Sequence, residues 1–162
     1  MKGAREVAFG HKVNLTTGRS NLILDCEIAD GNPKDSNLYE GVLERVRSDY
    51  GIRPRDMVTD GAYASLRNQD KAKEYGIVNI VFNKIVGSLK NVVQSVHMET
   101  RLKKWRSGME AVVSNVKRGF NLFRCDWKGR EHFDAKVLWS VIAYNIRVVT
   151  GLMLEKLMLQ PQ

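Results

Sequence analysis

The segment Met57-Val58-Thr59-Asp60-Gly61-Ala62-Tyr63 decides the reading of the fold. A short apolar run ends on a carboxylate, and a glycine and a tyrosine then turn the chain. A buried strand that stops at Asp60 and delivers its acid to the end of a sheet is the simplest structure for that pattern. A helix from about Ser65 to Tyr75 follows, Gly76 ends it, and Ile77 to Phe82 form another short apolar strand. Upstream, Val7, Phe9, Val13 and Leu15 alternate with Glu6, Lys12 and Asn14, the period of a half-buried strand from Glu6 to Leu15. Turn residues from Thr16 to Ser20 lead to Leu22, Leu24, Cys26 and Ile28, alternating on even positions, with Ile23 alone on the other face. The two runs predict a hairpin. After the loop Asp30-Gly31-Asn32-Pro33-Lys34, Asp35 or Ser36 is expected to cap a helix whose apolar positions are Leu38, Val42, Leu43 and Val46. The order β-β-α-β-α-β predicts an α/β layer structure, antiparallel at the hairpin and parallel where helices intervene.

The rest of the chain is helical after an irregular connection from Asn83 to Glu99. A basic helix is expected from about Arg101 to Phe123. A long apolar one follows from Ala135 to about Met158, with Val137, Leu138, Val141, Ile142, Val148, Val149 and Leu152 burying it against the domain.

The chain has 162 residues, 27% charged and 43% hydrophobic, which fits one ordinary domain, residues 1–158, with a short tail at 159–162. The formal charge is +8 and the pI near 9.6, so an anionic partner is expected and nucleic acid leads. Cys26 and Cys125 are too few for a disulfide framework, and no N-terminal stretch pairs a basic segment with an apolar run. A cytoplasmic protein, associated with the nucleoid through DNA, is therefore expected. Lys136, Asn145, Arg147, Glu155 and Lys156 interrupt the apolar C-terminal third, so no membrane span is expected.

Positive charge is concentrated between Arg101 and Arg130, which holds nine Lys and Arg against two acids, Glu110 and Asp126. Arg106, Glu110, Ser114 and Lys117 fall on one helical face. One acid among cations suits a site where the carboxylate binds a metal and the cations hold phosphates.

These residues carry a resemblance. Thr59-Asp60-Gly61-Ala62-Tyr63 after an apolar strand, followed by Arg106, Glu110 and Lys117 in an R-x3-E-x6-K arrangement, resembles the bacterial insertion-sequence transposases of the DDE class. The similarity extends to Phe9-Gly10-His11-Lys12-Val13, Gly31-Asn32-Pro33 with Asp35, Arg124-Cys125 with Lys128-Gly129, and Ala143-Tyr144-Asn145. The resemblance implies a ribonuclease-H-like mixed sheet flanked by helices. It makes Asp60 and Glu110 the second and third carboxylates of a triad holding two Mg2+ ions. Arg106 and Lys117 would steady phosphates, and Lys103, Lys104 and Arg118 would add DNA contacts. Such enzymes hydrolyse a transposon end and join the freed 3′-hydroxyl to target DNA, a pair of in-line displacements that metal ions assist.

The pattern departs from the family in three places. Lys103 stands where a tyrosine is common, and the glycine of the tyrosine turn comes early, directly after Asp60. The family's first Asp lies on a strand before Phe9-Gly10-His11-Lys12, and only Met1 to Ala8 precede that segment here. The expectation is a catalytic domain without its first strand and first carboxylate, a fragment inactive as given. By the resemblance that strand lies between the hairpin's second strand and the strand bearing Asp60, so two sheet edges are expected to be unpaired. Asp25 and Glu6 are possible substitute ligands.

Blander roles compete for the same residues. Asp60 alone would serve as a helix cap and Glu110 as a solvated acid paired with Arg106. His11 and Cys26 read as structural, and Trp105, Trp127 and Trp139 as core. The last helix is equally suited to packing on the domain or to forming a homodimer. Association with an intact transposase is a further possibility. The chief alternative function is a non-catalytic basic DNA-binding protein, and a general ribonuclease-H-like nuclease ranks behind it because it gives Arg106 and Lys117 no specific role.

Overall fold

A computed structural model describes residues 11–85, 87–122, 125 and 128–159. Strand β1 (Val13–Thr17) pairs antiparallel with β2 (Ile23–Ile28), with an irregular register between Thr16 and Thr17. Helix α1 (Asp35–Ser48) leads to β3 (Asp56–Asp60). A single 3-10 turn (Gly61–Tyr63) and α2 (Leu66–Glu74) return the chain to β4 (Asn79–Asn83), parallel to β3 with Asp60 opposite Asn83. Two long helices complete it, α3 (Val96–Gly119) and α4 (Arg130–Met158). The expected mixed α/β class is observed. The described strands form two separate two-stranded sheets.

Two apolar clusters hold these layers. Tyr39 and Leu43 of α1 pack with Ala72, Ile77, Ile80 and Phe82, sealing β4, whose apolar run is buried on both faces as a parallel strand requires. Ile23 of β2 packs with Val112 and Val116 of α3 and with Val141 and Tyr144 of α4.

Several expectations are corrected. Strand β1 begins at Val13, and residues 1–10 lie outside those described, as do Val86, Phe123, Arg124, Asp126, Trp127 and residues 160–162. His11 precedes the strand, with its ring 5.4 Å from that of Phe133. On β2 the most buried residues are Ile23 and Asp25, because α1 and α4 both pack against this strand. Asp35 occupies the first turn of α1 and does not cap it; the cap position is Lys34. Helix α3 starts earlier than its basic stretch, at a Ser95 cap that accepts from the Met98 N–H. Helix α4 begins at Arg130, and only Val137, Ser140, Val141 and Tyr144 of it are buried. Leu138, Ile142, Val149 and Leu152, expected to be core, are exposed, and so is Trp139 at 68%. By length and composition α4 could also cross a membrane, with an 18-residue window of mean hydropathy 1.6, contrary to the expectation that no segment qualifies.

Candidate functional site

The two sheets face one another across a groove of about 520 Å³, lined by β1 on one side, β3 on the other, and α1 and α3 between them. From β2 only Leu24 reaches it, so the open edge facing β3 belongs to the first strand of the hairpin and not to the second as expected. The wall is largely apolar, with Val13, Leu15, Val42, Met57, Trp105 and Val113 among its side chains. Trp105 is half-buried here, consistent with a packing role.

Asp60 stands where the groove meets the C-terminal end of β3. Its carboxylate accepts from the Gly61 N–H at 2.6 Å, and Arg106 Nη2 donates to Oδ2 at 3.1 Å. The side chain stays 52% exposed while that of Arg106 is 19% exposed. Gly61 is required by close approach: a Cβ there would lie 2.5 Å from the Lys84 carbonyl oxygen and 2.6 Å from that of Asn83. The early glycine of the tyrosine turn thus lets the Asp60 corner sit against the end of β4.

Tyr63 ties this corner to the other sheet, its hydroxyl donating to Asn14 Oδ1 at 2.8 Å. Burial, followed by the negative charge of Asp35, pushes its phenol up to about 12. Beside it, Lys12 Nζ donates to Asp35 Oδ1 and to the Pro33 carbonyl, both at 2.6 Å. Lys12, from the same Gly-His-Lys stretch that carries the resemblance, therefore has a structural partner.

Helix α3 supplies the cations. Lys103, Lys104, Lys117 and Arg118 are all exposed, and Lys117 also lines the groove with Arg106. Lys103 is paired with Glu99 at 2.7 Å, which together with Asn91 holds that carboxyl below its usual range. Glu110 is exposed on the same helix, outside the groove lining, and no described residue is paired with it. The structure therefore joins Asp60 to Arg106, whereas the bland sequence reading joined Arg106 to Glu110.

Asp25 is not available as a substitute ligand. It is 4% exposed and bound bidentately by Arg45, Nε to Oδ1 at 3.0 Å and Nη2 to Oδ2 at 2.9 Å. Arg45 also reaches Glu27 at 2.8 Å, and these carboxylates, Asp25 foremost, hold it more firmly protonated than usual. Sequence periodicity missed this cluster because it read Asp25 as solvent-facing. Glu6, the other proposed substitute, lies outside the described residues. Cys26 is raised to about 11 by burial first and by Asp25 second, as suits a packed thiol and not a nucleophile.

The donor chemistry of Asp60 and Glu110 suits a hard divalent cation such as Mg2+. Their number does not reach the three carboxylates of the resemblance: among the described residues no group of three His, Cys, Asp or Glu side chains is positioned to hold a metal. The cation nearest to hand at Asp60 is the Arg106 guanidinium.

Residues 2–146 match the family described as Transposase DDE domain. No curated protein matches the chain, and no solved structure does.

Proposed function

The chain belongs to the transposase DDE domain family, whose members rearrange DNA with the help of divalent metal ions, and on that premise we propose that it binds DNA along α3 and is impaired in cleaving it. The proposed domain is residues 1–158, a partial ribonuclease-H-like unit with Asp60 and Glu110 in the positions of two triad carboxylates. The observation that carries the reading is Asp60 at the end of β3, ion-paired to Arg106 of the basic helix at the mouth of a groove.

Mg2+ at Asp60 and Glu110 would polarise an attacking oxygen and stabilise the leaving one. What the protein's own groups do is more limited. Arg106 offers a planar fork able to hold two phosphate oxygens at once, and Lys117 offers a point charge on the same side of α3. Lys104 and Arg118 extend that positive surface into solvent, where phosphate contacts displace condensed counterions. A carboxylate already engaged by an arginine holds a metal more weakly than a free one, and impaired cleavage follows from that competition at Asp60.

A second reading, a basic DNA-binding protein with no catalytic part, is favoured by one observation: the Asp60–Arg106 pair neutralises the acid that a metal needs. Such a protein would act on transposon ends or alongside an intact transposase, in the cytoplasm at the nucleoid. DNA binding separates both readings from a protein that has left DNA altogether. Fluorescence anisotropy with a labelled 30-base-pair duplex, followed over a salt series, is expected to give an affinity that falls linearly on a log-log plot. Replacing Lys117 and Arg118 together by Ala should flatten the slope by about two phosphate contacts' worth. A slope near zero in the unmodified chain would remove the proposal.

A further inference from the structure

We infer that the outward face of α4 is the seam of an antiparallel, two-fold dimer with a second copy of this chain. The helix is apolar on two sides. Val137, Ser140, Val141 and Tyr144 face the domain, and Asn145 fixes the helix to β2 by accepting from the Ile23 N–H at 2.9 Å and donating to the Ile23 carbonyl at 2.8 Å. On the opposite side Trp139, Ile142, Ile146, Val149 and Met153 recur at steps of three, four, three and four, continued by Leu157. All six are exposed, from 41% at Val149 to 68% at Trp139. One packed stripe is what a domain helix needs; a second at heptad spacing is the pattern of a helix that meets another helix.

Charge and size select the partner and its direction. Glu131 begins the outward stripe and Lys156 lies near its end, both exposed. Two copies running parallel would set Glu131 against Glu131 and Lys156 against Lys156. Running antiparallel about a two-fold axis near Tyr144, Glu131 of each copy approaches Lys156 of the other, and Ile142 meets Ile146 at the centre. Trp139 then faces Val149, and Ala135 faces Met153, so a large side chain meets a smaller one in the layers on either side of the central isoleucines. The arrangement is isologous, so it closes at two copies. With each seam residue covering on the order of 100 Å², a copy contributes roughly 600 Å² before the rim is counted, close to the roughly 800 Å² per partner of a standard interface.

The experiment uses the full chain in sedimentation equilibrium at micromolar concentration, with the circular dichroism of each variant recorded alongside. The unmodified chain is expected at about twice its 18.4 kDa. Ile146→Asp, at an exposed position, should dissociate it by tenfold or more with unchanged helix content. Lys156→Glu should weaken association several-fold, and adding Glu131→Lys should restore it, a rescue that a merely structural role of either residue would not give. A monomeric unmodified chain, association indifferent to Ile146→Asp, or a double reversal no better than the single one would each overturn the inference. So would a monomer that floats with phosphatidylcholine vesicles containing phosphatidylglycerol and loses that binding on Ile146→Asp, since a lipid surface would then be the occupant.

Discussion

Arg106 of α3 donates to Asp60 at the C-terminal end of β3 across 46 residues of sequence, Nη2 to Oδ2 at 3.1 Å, where the basic helix crosses the strand. The pair makes the metal-ligand and phosphate-binding roles competitors: a cation at Asp60 competes with the arginine for the carboxylate, and a phosphate at Arg106 competes with the carboxylate for the guanidinium. Arg106→Ala is therefore expected to move two properties in opposite directions. DNA affinity should fall roughly threefold to tenfold with a shallower salt slope. Mn2+ binding, read by electron paramagnetic resonance as loss of the free-ion signal, should strengthen and should disappear again when Asp60→Asn is added.

Gly61 carries a packing prediction at the same corner. A methyl group there would press on the carbonyl oxygens of Lys84 and Asn83, both of them backbone and unable to swing aside. Gly61→Ala should destabilise the chain by about 1–3 kcal/mol, read as a lowered midpoint in urea with little change in slope. An unchanged midpoint would mean that the β3 and β4 ends do not approach as closely as described.

The buried Asp25 predicts a larger effect farther away. Arg45→Ala leaves a 4%-exposed carboxylate without its bidentate partner, and a loss of about 3–5 kcal/mol is expected. Adding Asp25→Asn should recover part of it, because the stranded charge is then gone. Denaturant unfolding of the three variants checks the order.

Cys26 gives a pH dependence. Its thiol is raised to about 11 in the folded chain from an ordinary value of 9.0, so the folded state holds the proton more tightly than the unfolded state. The resulting stabilisation is complete below pH 9 and is lost as pH rises toward 11. Alkylation by iodoacetamide at pH 8 should be slow in buffer and fast in urea. Equal rates in the two solvents would contradict the burial assigned to this residue.

Much of the architecture was legible because local signals agreed with it. The run ending on Asp60, the hairpin turn between Thr16 and Ser20, and the helical spacing of Leu38, Val42, Leu43 and Val46 all correspond to observed elements. The failures share a cause, which is that tertiary neighbours are not visible in a period. Alternation placed Asp25 in solvent because it cannot foresee Arg45 arriving from α1. Apolar density placed Leu138, Ile142, Val149 and Leu152 in the core with Val137 and Val141, because a helix with two apolar stripes has the same composition whether one or both are covered. Of the site, the spacing of Arg106, Glu110 and Lys117 indicated a shared helical face, while the pairing of Arg106 with Asp60 depended on how α3 crosses β3.

We propose a transposase-family chain that grips DNA and barely cuts it. Supercoiled plasmid incubated with the full chain and Mg2+, beside an Asp60→Asn control, tests it most directly: the gel should show retarded DNA at low salt and no more nicked circle than the control. Nicking by the unmodified chain that requires Mg2+ and vanishes on Asp60→Asn would contradict the account.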